Sequence, residues 1–273
     1  MFKANLDIPP VLYKYRDIDE YSLNILRKCE VYLPSATKLN DPFDCGIVQT
    51  TTFNQKNIAT LSGPDLIDYL EYYFDSNNVI FDTHLEKLQF IQKFIHYNEE
   101  AKKDDKLLTK VHEKSKQIAE HHRNNTGVYS LSSNPLSSVM WAHYANNHEG
   151  FCVGFDPTDL QNALKGFYPF KVIYNDEIPT LELTDDTETK SRKSLGTKFK
   201  EWSFESEYRI VNSVISNKEL YINNTGIKSV LLGANMLLEN KKTILDIIHK
   251  NLPSCEVYQV EIGINSLQLR LIS

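Results

Sequence analysis

Three short groups of residues carry side chains suited to chemistry. Arg16 closes the run at 11–16 (VLYKYR), Ser130 and Ser132 alternate within 128–132, and Glu205 and Glu207 alternate just ahead of 208–214. On a strand, alternate residues share a face, so each pair is expected to present two like groups side by side. Two carboxylates so placed repel, which raises one pKa and suits that group to accept a proton. Arg209 falls on the same face as the glutamates and could pair with Glu207 or with a phosphate. Taken singly, each group has an ordinary reading. A terminal Arg is usually a solvated charge, Ser-x-Ser is common on strands, and Glu-x-Glu usually marks a solvated sheet face.

A second cluster, His143, His148, Glu149 and Asp156, invites a metal reading. The spacing argues against one. A five-residue step turns the two rings roughly 140° apart around a helix, whereas metal-binding helices use i, i+4 as in H-E-x-x-H. No metal is expected. No G-x-S-x-G elbow, P-loop or G-x-G-x-x-G is present either. Cys152, flanked by Phe151, Val153 and Phe155, reads as core.

These residues need elements to position them. Strands are expected at 11–16, 29–34, 128–132, 150–155, 170–174, 208–214, 229–232, 256–262 and 267–272, with helices at 21–28, 135–146 and 236–250. A turn is expected at Asn40–Asp44 (NDPFD), because Asn-Asp-Pro stops a helix. Helical spacing recurs at Leu66, Ile67, Leu70 and Phe74, at Leu85, Leu88, Ile91 and Ile95, and at Leu107, Leu108, Val111 and Ile118. The segment at 184–192 is polar and reads as mobile, and 198–202 reads as the close of a helix. The sum is a single α+β domain over 1–273 with a helical insertion at about 62–124.

The order Arg, Ser-x-Ser, Glu-x-Glu, each at a strand edge, resembles the signature of ADP-ribosyltransferases of the Arg–Ser–Glu type. The order of elements agrees: the Ser strand, a helix, a strand, then Glu-x-Glu opening another strand. Five blocks are also similar to a bacterial family catalogued as domain of unknown function 2971. They are LYKYR (12–16), NDPFDC (40–45), SLS (130–132), MWAHYANNHEGFCVGFD (140–156) and KEWSFESEYRI (200–210). The first resemblance implies a split β-sheet core and NAD as co-substrate. It also implies transfer of ADP-ribose to a macromolecular acceptor, protein or nucleic acid. Toxin and phage-defence settings follow from it, with an antitoxin as a candidate partner.

The resemblance assigns roles that the residue types can fill. Arg16 would hold the pyrophosphate by charge-assisted bonds. Glu207 would stabilise the positive charge that develops on the ribose as the nicotinamide bond breaks. Ser130 or Ser132 would orient Glu207, and Glu205 would activate the acceptor. Trp141 and Tyr144, at i, i+3, either stack on the nicotinamide or pack in the core. His143 either faces the cleft, contacting a ribose hydroxyl or the acceptor, or tethers its helix to the Asn40–Asp44 turn. Asn40 is a weaker site candidate, and Asp44 reads as structural. Trp202 would anchor the loop before Glu205. Two other readings stand beside the transferase. One is a non-catalytic nucleotide- or RNA-binding protein, and the other is a nuclease using His143, His148 and Asp156.

Composition narrows the field. The chain has 273 residues, 41% hydrophobic and 24% charged, which excludes collagen, coiled coil and wholesale disorder. Thirty basic against 36 acidic residues give a net charge of −6, unlike a general phosphate-backbone binder. The four cysteines form no C-x-x-C pair, which points to a reducing compartment. With no signal-like N-terminus and no long apolar window, a cytoplasmic protein and no membrane are expected. The rings are abundant, with 15 Tyr, 13 Phe and 2 Trp. Tyr13, Tyr15, Tyr129, Trp141, Tyr144, Trp202 and Tyr208 flank the Arg, Ser, His and Glu positions, as a pocket for a planar ligand would require.

Overall fold

A computed structural model describes residues 8–45, 81–101, 123–167, 169–177 and 187–272, with the single positions 67, 70, 120, 121 and 179. The chain divides into two compact units. The first comprises 1–45, 123–178 and 195–273, and the second comprises 46–122 and 179–194.

The first unit is built on an eight-stranded sheet. Its strands are β1 (Leu12–Arg16), β3 (Gly127–Ser132), β4 (Phe151–Phe155), β5 (Phe170–Lys171), β8 (Glu207–Asn212), β10 (Ile227–Leu232), β11 (Glu256–Ile262) and β12 (Leu267–Leu271). They lie in the order β12-β11-β10-β4-β1-β3-β8-β5. Only β10 and β11 run parallel, joined through helix α6 (Leu238–Asn251); the other neighbours are antiparallel. Two small sheets pair β2 (Glu30–Leu33) with β9 (Lys218–Tyr221) and β6 (Ile173–Asn175) with β7 (Thr197–Phe199). A large mixed sheet with several helices is what the α+β class requires.

Alternation divides the sheet into two apolar faces. Leu12, Tyr129, Leu131, Val153, Phe155 and Ile210 lie in one core with Leu23 and Leu26 of α1 (Glu20–Lys28), Ile244 and Ile248 of α6, and Leu160 and Leu164 of α4 (Pro157–Leu164). Tyr15, Cys152, Leu231 and Val260 lie in the other, with Met140 and Trp141 of α3 (Ser138–Tyr144). Helix α1 starts at Asp19, whose carboxylate accepts the Ser22 N–H at 2.7 Å, and carries Arg27 and Lys28 in its last turn. Helix α4 was not anticipated, although Asp156 caps it and Pro157 opens it.

The second unit contains α2 (His84–Ala101), where Leu70 and Ile91 are buried with Phe81, Phe94 and Ile95 around them. The repeats expected at 107–118 and most of the insertion expected at 62–124 lie outside the described residues. Helix α5 (Thr187–Gly196) replaces the mobile segment read at 184–192, as far as that segment is described. The helix end read at 198–202 is instead β7 followed by a 3₁₀ turn over Lys200–Glu205. Among the described residues no helix is long and apolar enough to cross a membrane.

The irregularity that matters most lies at the centre of the sheet. β1 pairs with β4 along all five of its residues, from Leu12↔Phe155 to Arg16↔Phe151. On its other flank β1 pairs with β3 at one position, Tyr13↔Ser132.

Candidate active site

A cavity of about 400 Å³ opens beside this gap. That volume is within the range of small-molecule pockets. Arg16, Ser130, Ser132, Tyr144, Glu205 and Glu207 all line it, together with Lys14, Asn40, Asp44 and Lys198. Residues far apart in sequence meet here because β1, β3 and β8 are successive neighbours in the sheet. The β3–β8 register sets Ser130 opposite Arg209 and Ser132 opposite Glu207, so all four share one face. Lys14 and Arg16 alternate with Tyr13 and Tyr15 and start from the other face. The gap admits them to the same space, and the Lys14 ammonium crosses it to donate to the Ser130 carbonyl at 2.7 Å.

Glu205 and Glu207 reach the cavity by a different route from the one expected. Glu205 ends the 3₁₀ turn, Ser206 takes left-handed angles (φ 45, ψ 49), and β8 begins only at Glu207. The two carboxylates therefore do not alternate on one strand. The left-handed Ser206 turns the chain so that both still face Lys198. The Lys198 Nζ donates to Glu205 at 2.6 Å and lies 3.5 Å from both Glu207 and Asp44. It also sits 4.6 Å from the Trp202 ring centroid, a cation–π contact. Trp202 thus braces the loop before Glu205 through Lys198.

Glu207 is held from three sides. Arg209 donates to it through Nε at 2.8 Å and Nη2 at 3.0 Å, Lys198 lies 3.5 Å away, and the Ser130 side chain favours its charged form. Burial raises its pKa, but Arg209, Lys198 and Ser130 reverse this and hold it at about 2. Glu207 is thus a fixed anion. Glu205 is different, because burial and the charge of Glu207 push it above the usual carboxylate range against the pull of Lys198 and Tyr144. The Tyr144 hydroxyl donates to Glu205 at 2.6 Å and accepts from Asn40 Nδ2 at 2.9 Å. This divides the labour between the carboxylates: Glu207 stays ionised, and Glu205 can exchange a proton.

Other candidates are engaged in the fold itself. Arg209 is fully buried, is not part of the cavity wall, and gives its remaining donors to Asp44 and the Leu195 carbonyl. It fixes the glutamate rather than offering a guanidinium to a ligand. Ser132 serves the turn after β3, bridging the N–H and carbonyl of Asn134. Trp141 is 0% exposed, packs edge-on to Tyr15 at 5.2 Å, and donates Nε1–H to the Pro135 carbonyl. It is core. His143 is exposed, outside the cavity lining, and stacks on Phe204 at 5.9 Å. The tether to the Asn40–Asp44 turn is made by Tyr144. His148 lies parallel to Trp141, while Asp156 caps α4 and pairs with Lys228. Among the described residues no group of His, Cys, Asp and Glu could hold a metal.

Lys14 and Lys198 were not singled out from the sequence. Lys14 stands in a run read as a strand and Lys198 in one read as the close of a helix, and neither run marks its lysine as buried among charges.

The residues that build this geometry can be set against known proteins. The family model described as "Protein of unknown function (DUF2971)" matches residues 140–210, which hold α3, Lys198, Glu205, Glu207 and Arg209. The chain is similar to that family over this segment. That region supplies the anionic wall of the cavity and Tyr144, whereas Lys14, Arg16, Asp44 and Ser130 lie outside it. Neither the curated proteins nor the solved structures include a significant match to the chain.

Proposed function

We propose that the chain is an NAD-dependent ADP-ribosyltransferase acting on a macromolecular acceptor. The observation that carries this reading is that Arg16, Ser130 and Glu207 line one cavity although they come from distant parts of the sequence. On this reading the partly unpaired β1–β3 seam is the split of a transferase-like core, and NAD lies along it. Arg16 grips the diphosphate. Glu207, ionised and oriented by Ser130, lies beneath the ribose and stabilises its positive charge as the bond to nicotinamide breaks. The acceptor's nucleophilic atom attacks the ribose carbon, and Glu205 takes the proton it loses. Tyr144 is the aromatic ring placed to meet the nicotinamide. A toxin or phage-defence role belongs to the same proposal.

A binding-only reading draws on one observation: Arg209, Lys198 and Ser130 already occupy Glu207. The deciding experiment incubates the protein with labelled NAD and candidate proteins or nucleic acids. Nicotinamide release and label transfer that vanish in Glu207→Gln are expected. Stabilisation by NAD or ADP-ribose with no nicotinamide release, in wild type as in the variant, would favour binding alone.

A further inference from the structure

The β1 side of the cavity presents two cations that no carboxylate answers. Lys14 and Arg16 are alternate residues of one strand, and both line the cavity. Among the described residues neither forms an ion pair. Lys14 donates to a neutral acceptor, the Ser130 carbonyl, and lies 5.0 Å from the centroid of the Tyr129 ring. The Arg16 Nε is buried without a hydrogen-bond partner.

The cavity's own acids are engaged elsewhere. Asp44, Glu205 and Glu207 answer Lys198 and Arg209. Asp17 accepts the Ile18 N–H, and Asp19 caps α1. Enclosing cations without counter-charge is costly, and an anion with several oxygen acceptors removes that cost.

We propose that Lys14 joins Arg16 as a diphosphate-binding pair, so that the cavity takes a nucleoside diphosphate or dinucleotide in preference to an uncharged nucleoside. This rests on reading the cavity as the nucleotide site and adds the residue that selects the charged ligand. Lys14 differs from Arg16 in being titratable. Burial and then the neighbouring Arg16 charge lower its ammonium to about 7, assisted by Lys198 and opposed by Glu207 and Glu205. The charged form binds phosphate, so affinity falls as pH rises through neutrality.

Calorimetric titration with ADP-ribose, and with adenosine as the uncharged control, tests the pair. It is run on wild type, Lys14→Gln and Lys14→Arg at about pH 6 and about pH 8.5, on either side of neutrality. Lys14→Gln is expected to weaken ADP-ribose binding roughly tenfold or more at the lower pH, from loss of a charge-assisted bond. Lys14→Arg retains the affinity and abolishes its pH dependence. Adenosine binds weakly to all three. Unchanged ADP-ribose binding in Lys14→Gln, or adenosine binding as tight as ADP-ribose, overturns the pair.

Nicotinamide release from NAD, followed in parallel, separates this proposal from the transferase reading. The binding pattern without release leaves the pair standing and removes the transferase. Release with an unaltered KM in Lys14→Gln removes the pair and leaves the transferase.

Discussion

Arg209 and Asp44, 165 residues apart, meet as a bidentate pair. Nη1 donates to one carboxylate oxygen at 2.8 Å and Nη2 to the other at 2.6 Å. Both side chains are buried, and the same guanidinium holds Glu207 from its other edge. The Asn40–Asp44 turn is therefore tied to β8 by a buried charge pair. Replacing one partner strands the other charge. Asp44→Ala is expected to cost about 3–5 kcal/mol in urea unfolding, as breaking a buried pair does. A cost below about 0.5 kcal/mol, typical of a surface site, would show that the pair is not coupled to folding.

Glu207 sets the acid limit of stability. Its pKa in the fold is about 2, below the ordinary 4.5, so its stabilisation is complete above the ordinary value. As pH falls through that window, up to about 3 kcal/mol is lost, with Glu205, shifted the opposite way, offsetting part. Denaturation midpoints of wild type and Glu207→Gln should converge as pH falls through the window. Parallel curves would exclude this carboxylate as the cause.

Lys14 predicts the opposite limb. Folding lowers its pKa from 10.5 to about 7, so between these values the unfolded chain binds more protons. Stability contributed at this position therefore rises with pH across that window. Thermal unfolding should show the rise in wild type and not in Lys14→Met.

Much of this framework was legible in sequence, and the part that was not has a common cause. Strands such as β4 and β11 declare themselves through their own apolar runs, and the Arg, Ser and Glu groups could be ordered along the chain. Glu205 was misplaced because a left-handed Ser206 breaks the alternation, and no residue type marks that break. Trp141 and Tyr144 sit three residues apart on one short helix, yet only the second reaches the cavity. Lys14 and Lys198 were invisible as site residues because what distinguishes them is the set of partners that the fold brings around them.

Tyr144→Phe isolates the proton chemistry. Losing the 2.6 Å donor disfavours the ionised form of Glu205, so its pKa rises further. If Glu205 accepts the acceptor's proton, the acidic limb of the kcat/KM profile moves to higher pH while nicotinamide release in the absence of acceptor stays near wild type. An unmoved limb would assign the base elsewhere.

His143→Ala tests the position outside the cavity. Exposed and stacked on Phe204, it is expected to change stability by no more than about 0.5 kcal/mol and to leave turnover intact. Loss of activity in this variant, together with sensitivity to a chelator, would revive the nuclease reading.

Gly150 shows how little slack β1 has against β4. A Cβ there would lie 2.2 Å from the Arg16 carbonyl, so even Ala must push β1 away from β4. Yet along its other flank the same strand joins β3 at one residue pair, and the next carbonyl, that of Ser130, is capped by a lysine side chain instead of a backbone amide. A strand margin of this kind is usually found at the outside of a sheet, where it recruits another chain. Here it lies between two interior strands of the sheet. At this point two central strands are therefore held together by a side chain, which a single substitution can remove, and not by the ladder of the sheet itself.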